Sequence, residues 1–130
     1  MSHSFGIEVY YEDTDFSGAV YHANYLKFLE RARSAVVAFV GIDQIELKRN
    51  GSTFVVRSLS ADFFKPTYFN DNLTIFTDFL KIGGASIRLE QKIYKQTDCV
   101  FSATVKLGLI FSGRATRFPN EIRNKLMTLN

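Results

Sequence analysis

Asp15 and His22 are the two side chains whose types and spacing are suited to chemistry, in the run YYEDTDFSGAVYHANYLKFLERAR at residues 10 to 33. Asp15 falls on an irregular turn, and His22 stands where a long amphipathic helix begins. A carboxylate of ordinary pKa, ~3.9, is anionic at neutral pH without any activating partner. Placed beside the free N–H groups of a helix start, it offers a base or nucleophile and an oxyanion site together, as acyl transfer requires. Such a carboxylate attacks an activated carbonyl or takes a proton from water, and the residues leave both routes open. Its weak basicity favours attack. At a helix N-terminus the dipole disfavours extra positive charge, which favours a neutral His22 imidazole able to orient water. Tyr11 ends the preceding strand on its apolar parity and reads as a core aromatic with its hydroxyl at the edge.

The other polar residues have plainer readings. Glu12 and Asp13 read as turn-forming. The acidic trio is of a type that can hold a divalent metal, but the absence of a glycine-centred calcium loop and of a His/Cys cluster argues against a metal site, and no cofactor is expected. Ser17 lacks the G-x-S-x-G context of a nucleophile elbow. Cys99 starts a strand with no histidine nearby in sequence, which gives no support to a thiol mechanism. Glu30 reads as the partner of Arg33, one helical turn on.

Around these residues the periodicity is clear. Phe5, Ile7, Val9 and Tyr11 alternate, giving a strand over 5–11 with one buried side. Gly18 supplies a permissive turn position. From about Tyr21 to Val40, apolar residues recur at spacings of three and four, which predicts a helix of about 18 residues, ~27 Å long. Asn24 is its candidate cap side chain and Gly41 its left-handed C-terminal cap. A helical turn or two follows over 43–50 and stops at Gly51. Strands are expected over 53–64, 73–82, 86–94 and 100–111, with a turn at Pro66 and a hairpin at Gly83-Gly84. Leu73, Ile75 and Phe79 should face away from Phe76, Leu80 and Ile82, leaving that strand apolar on both faces. Residues 120–129 are weakly helical. One long helix followed by hairpin-linked strands is an α+β pattern with an antiparallel sheet of about five strands. Two-faced apolar strands in so small a chain imply subunit association.

The 130 residues suit one domain, 1–130. A net charge of +3 suits an anionic ligand and is too small and scattered for nucleic acid. Cys99 is the single cysteine, so no internal disulfide forms. No apolar stretch approaches the ~18 residues of a membrane span, and the first residues lack a signal-peptide pattern, so a cytoplasmic protein is expected.

The run at residues 10 to 33 closely resembles the start of hotdog-fold acyl-CoA thioesterases of the 4-hydroxybenzoyl-CoA thioesterase family. It is most similar to the Tol-Pal-associated acyl-CoA thioesterase branch. The similarity continues through FVVRSLSADFFKPTYFNDNLTI at residues 54 to 75 and reaches about Pro119. The resemblance implies a hotdog fold, a curved antiparallel sheet wrapping one long helix. It implies homodimers paired edge to edge, often joined into homotetramers, with sites between the subunits of a dimer. It makes Asp15 the catalytic aspartate, puts Tyr11 and His22 at the flanking site positions, and makes the His22 backbone amide the donor that polarises the thioester. The family's hairpin after the third strand often carries basic residues that meet coenzyme A phosphates. Here that hairpin is Gly83-Gly84, leaving Lys81, Arg114 and Arg117, and then Lys65, as candidate substrate-binding cations. A sister subfamily uses a helix-borne glutamate, which makes Glu30 a second catalytic candidate.

The leading expectation is therefore hydrolysis of an acyl-CoA thioester to a carboxylic acid and CoA. Two alternatives are a hotdog hydratase or dehydratase, for which only His22 is available as the histidine of an acid–base pair, and a non-catalytic partner of acyl carrier protein or lipid-synthesis enzymes. Acyl carrier protein is a possible partner under either the first or the last reading.

Overall fold

A computed structural model describes residues 2–129. The chain runs β1 (His3–Glu8), a single 3-10 turn (Tyr11–Asp13), α1 (Asn24–Phe39), α2 (Gln44–Arg49), β2 (Ser52–Phe63), β3 (Asn72–Ile82), β4 (Ile87–Lys95), β5 (Asp98–Phe111), β6 (Arg114–Thr116) and α3 (Asn120–Met127). The sheet is antiparallel and curved, in the order β1-β3-β4-β5-β2, with β6 paired to the end of β5. This is the expected α+β hotdog arrangement, five long strands and a short sixth.

The core forms where the apolar stripe of α1 meets the inner face of the sheet. Phe28, Leu29, Ala32 and Val36 from the helix are buried with Ile75, Ile87, Leu89, Ile93, Phe101 and Val105 from the strands. Phe5, Ile7 and Val9 alternate inward as their spacing predicts. Tyr11 does not continue that strand: pairing with β3 stops at Glu8, and Tyr11 opens the 3-10 turn, 79% exposed.

Two further expectations are corrected. The pairing of β3 with β4 slips between Phe79 and Lys81, and this bulge at Leu80 returns Ile82 to the buried face. The outer face therefore keeps Leu80 exposed and Phe76 packed edge-on against Tyr94. The helix starts at Asn24 rather than Tyr21, because Tyr21 N–H turns back to the Asp13 carbonyl. At the other end Gly41, at φ 89°, gives the left-handed exit: its N–H reaches Ala38 O and Ile42 N–H reaches Val37 O, satisfying two carbonyls of the last turn.

One buried polar cluster pins helix to sheet. Arg33 donates to Gln91 Oε1 at 3.0 Å and to Glu30 Oε2 at 2.6 Å. Gln91, fully buried, donates to Leu29 O and Thr77 Oγ1, both at 3.1 Å. Glu30 is thus the ion-pair partner of Arg33, as its spacing suggests.

Candidate active site

The stretch from Asp13 to His22 is a small hook standing between β1 and α1. Tyr21 N–H donates to Asp13 O, Thr14 bridges Val20, and Asp15 N–H donates to Ala19 O. Gly18, at φ 90°, turns the tip, where an L side chain would be strained. The hook is tied down from outside by Val20 N–H on Thr67 O at 2.8 Å and by the Ala19–Tyr68 bridge. Thr67 is itself buried and shares a 2.6 Å hydrogen bond with the Tyr25 hydroxyl. Burial pushes the Tyr25 phenol up, so it stays neutral and serves as a strut.

Asp15 sits at the exposed tip. Its Oδ1 accepts from Ser17 N–H at 2.8 Å and from the Ser17 hydroxyl at 2.5 Å. The Ser17 hydroxyl and then its N–H hold the carboxyl below the usual carboxylate range. The anion is therefore fixed in direction and fully ionised at neutral pH. Asp13 plays a different part: it is buried, and its carboxylate accepts Tyr10 N–H at 2.8 Å, closing the turn.

The start of α1 satisfies most of its orphan donors by short bonds. Asn24, Tyr25 and Leu26 N–H reach the carbonyls of Tyr21, His22 and Ala23. Among the described residues, the amides of His22 and Ala23 have no acceptor. N–H groups without an acceptor beside a helix N-terminus are the kind of donor that an oxyanion of acyl transfer needs. The His22 ring lies against Tyr21 at 4.5 Å and edge-on to Phe63 at 6.3 Å. An open pocket of about 290 Å³ adjoins it, lined by Val20, His22, Tyr25, Phe63, Phe64, Lys65 and Pro66. Larger hollows flank α2, but the Asp43 carboxylate bordering one of them already caps that helix.

The expected site residues fall in two places. Asp15, His22 and Lys65 share the end of the sheet where Phe63 pairs with Phe101; Lys65 is paired with Asp98 at 3.4 Å. Tyr11 is near the hook, but its ring rests on Phe69 at 6.2 Å rather than on Asp15. The basic candidates lie toward the other end: Arg114 where Ser52 pairs with Phe111, Arg117 just past Thr116, which faces Leu109, and Lys81 farther in, level with Lys106 through Arg88 near the middle of β5. Along β5, Phe101 lies roughly ten residues from Phe111, the partner of Arg114, about 33 Å at ~3.3 Å per residue, and about seven residues, or about 23 Å, from the level of Arg117. Within one chain they do not meet. Arg117 crosses the hairpin that lacks a basic residue of its own: a Cβ on Gly84 would come within 2.2 Å of its guanidinium.

Sequence reasoning passed over three contributors. The sequence reads Ser17 only as a candidate nucleophile, yet an Asp with a Ser two residues on is itself a signal for a local carboxylate turn. Phe63 and Thr67 come from a distant stretch of chain and carry no local signal. Among the described residues, no three His, Cys, Asp or Glu side chains cluster to hold a metal ion, and no helix is long and apolar enough to cross a membrane.

Comparison with known proteins gives a consistent set. Residues 9–127 match the model of the thioesterase-like superfamily. An acyl-CoA thioesterase YbgC of Haemophilus influenzae is 37% identical over 123 residues, covering 92% of this chain and 90% of its own. The acyl-CoA thioesterase YbgC of Helicobacter pylori is 38% identical over 120 residues, 85% of this chain and 86% of its own. The crystal structure of a probable thioesterase from Bartonella henselae superposes with a TM-score of 0.88 at 36% identity, covering 92% of this chain and all of that one.

Proposed function

The chain belongs to the thioesterase-like superfamily, and from that premise we propose that it works as one domain that hydrolyses acyl-coenzyme A to a carboxylic acid and free CoA. The observation that carries this reading is the pairing of an exposed, hydrogen-bonded Asp15 anion with the unpaired His22 amide. The acyl carbonyl oxygen sits against the His22 N–H, and Asp15 Oδ attacks the carbonyl carbon. The carbon–sulfur bond breaks, the thiolate of CoA leaves, and the acyl–aspartyl anhydride is opened by water. The depressed pKa of Asp15 supports attack over proton abstraction, since a weak base is a poor acceptor for a water proton. The His22 imidazole orients the water of the second step, and Tyr11 borders the acyl group.

The phosphates of CoA are met in trans. β2 is a free sheet edge, and exposed Val56, Phe63 and Phe64 lie on or just beyond it. An exposed apolar edge of this length calls for pairing. Two β2 edges joined antiparallel by a two-fold axis set the Ser52 end of one against the Phe63 end of the other. That arrangement brings the partner copy's Arg114 and Arg117 toward the His22 pocket and Lys65, while its Lys81, on β3, stays separated from β2 by β4 and β5. The exposed aromatics around the hook, among them Phe16, Tyr68 and Phe69, extend the surface available for this dimer and for a tetramer of dimers.

Release of CoA thiol, followed across acyl-CoA substrates of increasing chain length, tests the proposal. Turnover of at least one member with CoA and free acid in equal amounts is the expected result. Hydration of an enoyl-CoA without thiol release would overturn it.

A further inference from the structure

Asn24 has the side chain best suited to cap α1, yet it does not do so. The helix N-cap is Ala23, with no side-chain cap bond. Asn24 Nδ2 instead donates at 2.9 Å to the backbone carbonyl of Asp13, eleven residues back. The same carbonyl accepts Tyr21 N–H at 2.9 Å. The chain on both sides of His22 is therefore tied to one oxygen, and Asp15 follows that oxygen by two residues. Asp13 is itself immobilised by its buried carboxylate on Tyr10 N–H.

We propose that Asn24 is a positioning residue that sets the distance between the Asp15 carboxylate and the His22 amide. The inference rests on the reading of those two groups as the reacting pair. One neutral hydrogen bond in a partly buried place is a small part of a fold's stability. Losing it leaves the helix and sheet standing but frees the hook to shift against the helix start. Near reacting atoms, a displacement of about 1 Å costs up to ~100-fold in rate.

Asn24→Ala and Asn24→Asp test this together. The aspartate keeps the shape but turns a donor into an acceptor facing the Asp13 carbonyl. In the first turn of a helix its negative charge is favourable, so thermal stability should hold or rise. Both variants should lose kcat by about 10- to 100-fold with KM within about twofold of wild type. Hydrogen exchange at the Tyr21 amide, which shares the acceptor, should quicken at least ~10-fold while amides in the middle of α1 stay protected. A kcat within about twofold of wild type in either variant, or an unchanged Tyr21 amide, would overturn the proposal. So would a loss confined to Asn24→Asp, which would assign the effect to added charge near Asp15. Asp15→Asn serves as the reference. If that variant kept full turnover the reading of the reacting pair would fail, while exchange at Tyr21 would still report whether Asn24 holds the hook.

Discussion

The division of the site between two copies is tested by mixing subunits that are defective at opposite ends. Asp15→Asn disables the hook, and Arg114→Ala/Arg117→Ala disables the basic end. Within one chain the Phe101 end of β5 lies about 33 Å from the level of Arg114 and about 23 Å from that of Arg117 by strand rise, roughly three to four Debye lengths at physiological ionic strength, so neither arginine acts on its own chain's Asp15. Each exposed arginine–phosphate contact contributes about 0.5–1 kcal/mol, so the double change should raise KM by roughly 5- to 30-fold with kcat nearly constant. The assay is thiol release at substrate well below KM, after the two variants are unfolded together and refolded at equal concentration. Random pairing makes half of the dimers mixed. In each mixed dimer one site carries both defects and the other carries neither, so about a quarter of all sites are wild type. Activity should therefore rise to about 25% of the wild-type value, well above the average of the two parents. Activity at the parental average would place the arginines in the same site as their own Asp15, or outside any site, and would refute the trans arrangement.

Other outcomes follow from single contacts. Ser17→Ala removes the strongest influence holding the Asp15 carboxyl low. The acid limb of kcat/KM should then move to higher pH, toward the ordinary carboxylate range, and an unmoved limb would detach that limb from Asp15. His22→Ala keeps the backbone amide, so kcat should fall by only about 10- to 100-fold, less than for loss of the carboxylate; an equal loss would make the ring a partner in the bond-breaking step. Gln91→Leu strands the buried Arg33 donor and breaks two further hydrogen bonds, offset in part by the apolar volume gained. Urea unfolding should show a loss of about 2–4 kcal/mol, and a value under about 1 kcal/mol would mean that the cluster adds little to holding helix to sheet.

The sequence made the elements legible because their periods are strong. The strand over 100–111 and the three-and-four spacing of α1 each appear in the structure with ends shifted by a few residues. The errors have physical causes. Residues 21 to 23 fit the helical period, but Tyr21 N–H finds a better acceptor in Asp13, so the helix waits until Asn24. Alternation alone put Ile82 on the outer face, and a bulge at Leu80 undid it, a feature with no local residue signal in that stretch. Within the site, Asp15 and His22 were legible from one short run, but the segment that anchors their hook was not. Thr67 and Phe63 approach from more than forty residues away. The placement of Arg117 over Gly84 is likewise a tertiary event, joining two turns that the chain separates by a whole hairpin.

The central claim is that the Asp15 carboxylate carries out the reaction at the thioester. Asp15→Asn tests it most directly, because the amide keeps the shape and the Ser17 contacts in outline while removing the anion. Measured by coenzyme A release on the best acyl-CoA substrate, with the fold checked by circular dichroism, kcat should fall at least ~100-fold and thermal unfolding should be nearly unchanged. A folded variant that hydrolyses the thioester within about threefold of the wild-type rate would contradict the account.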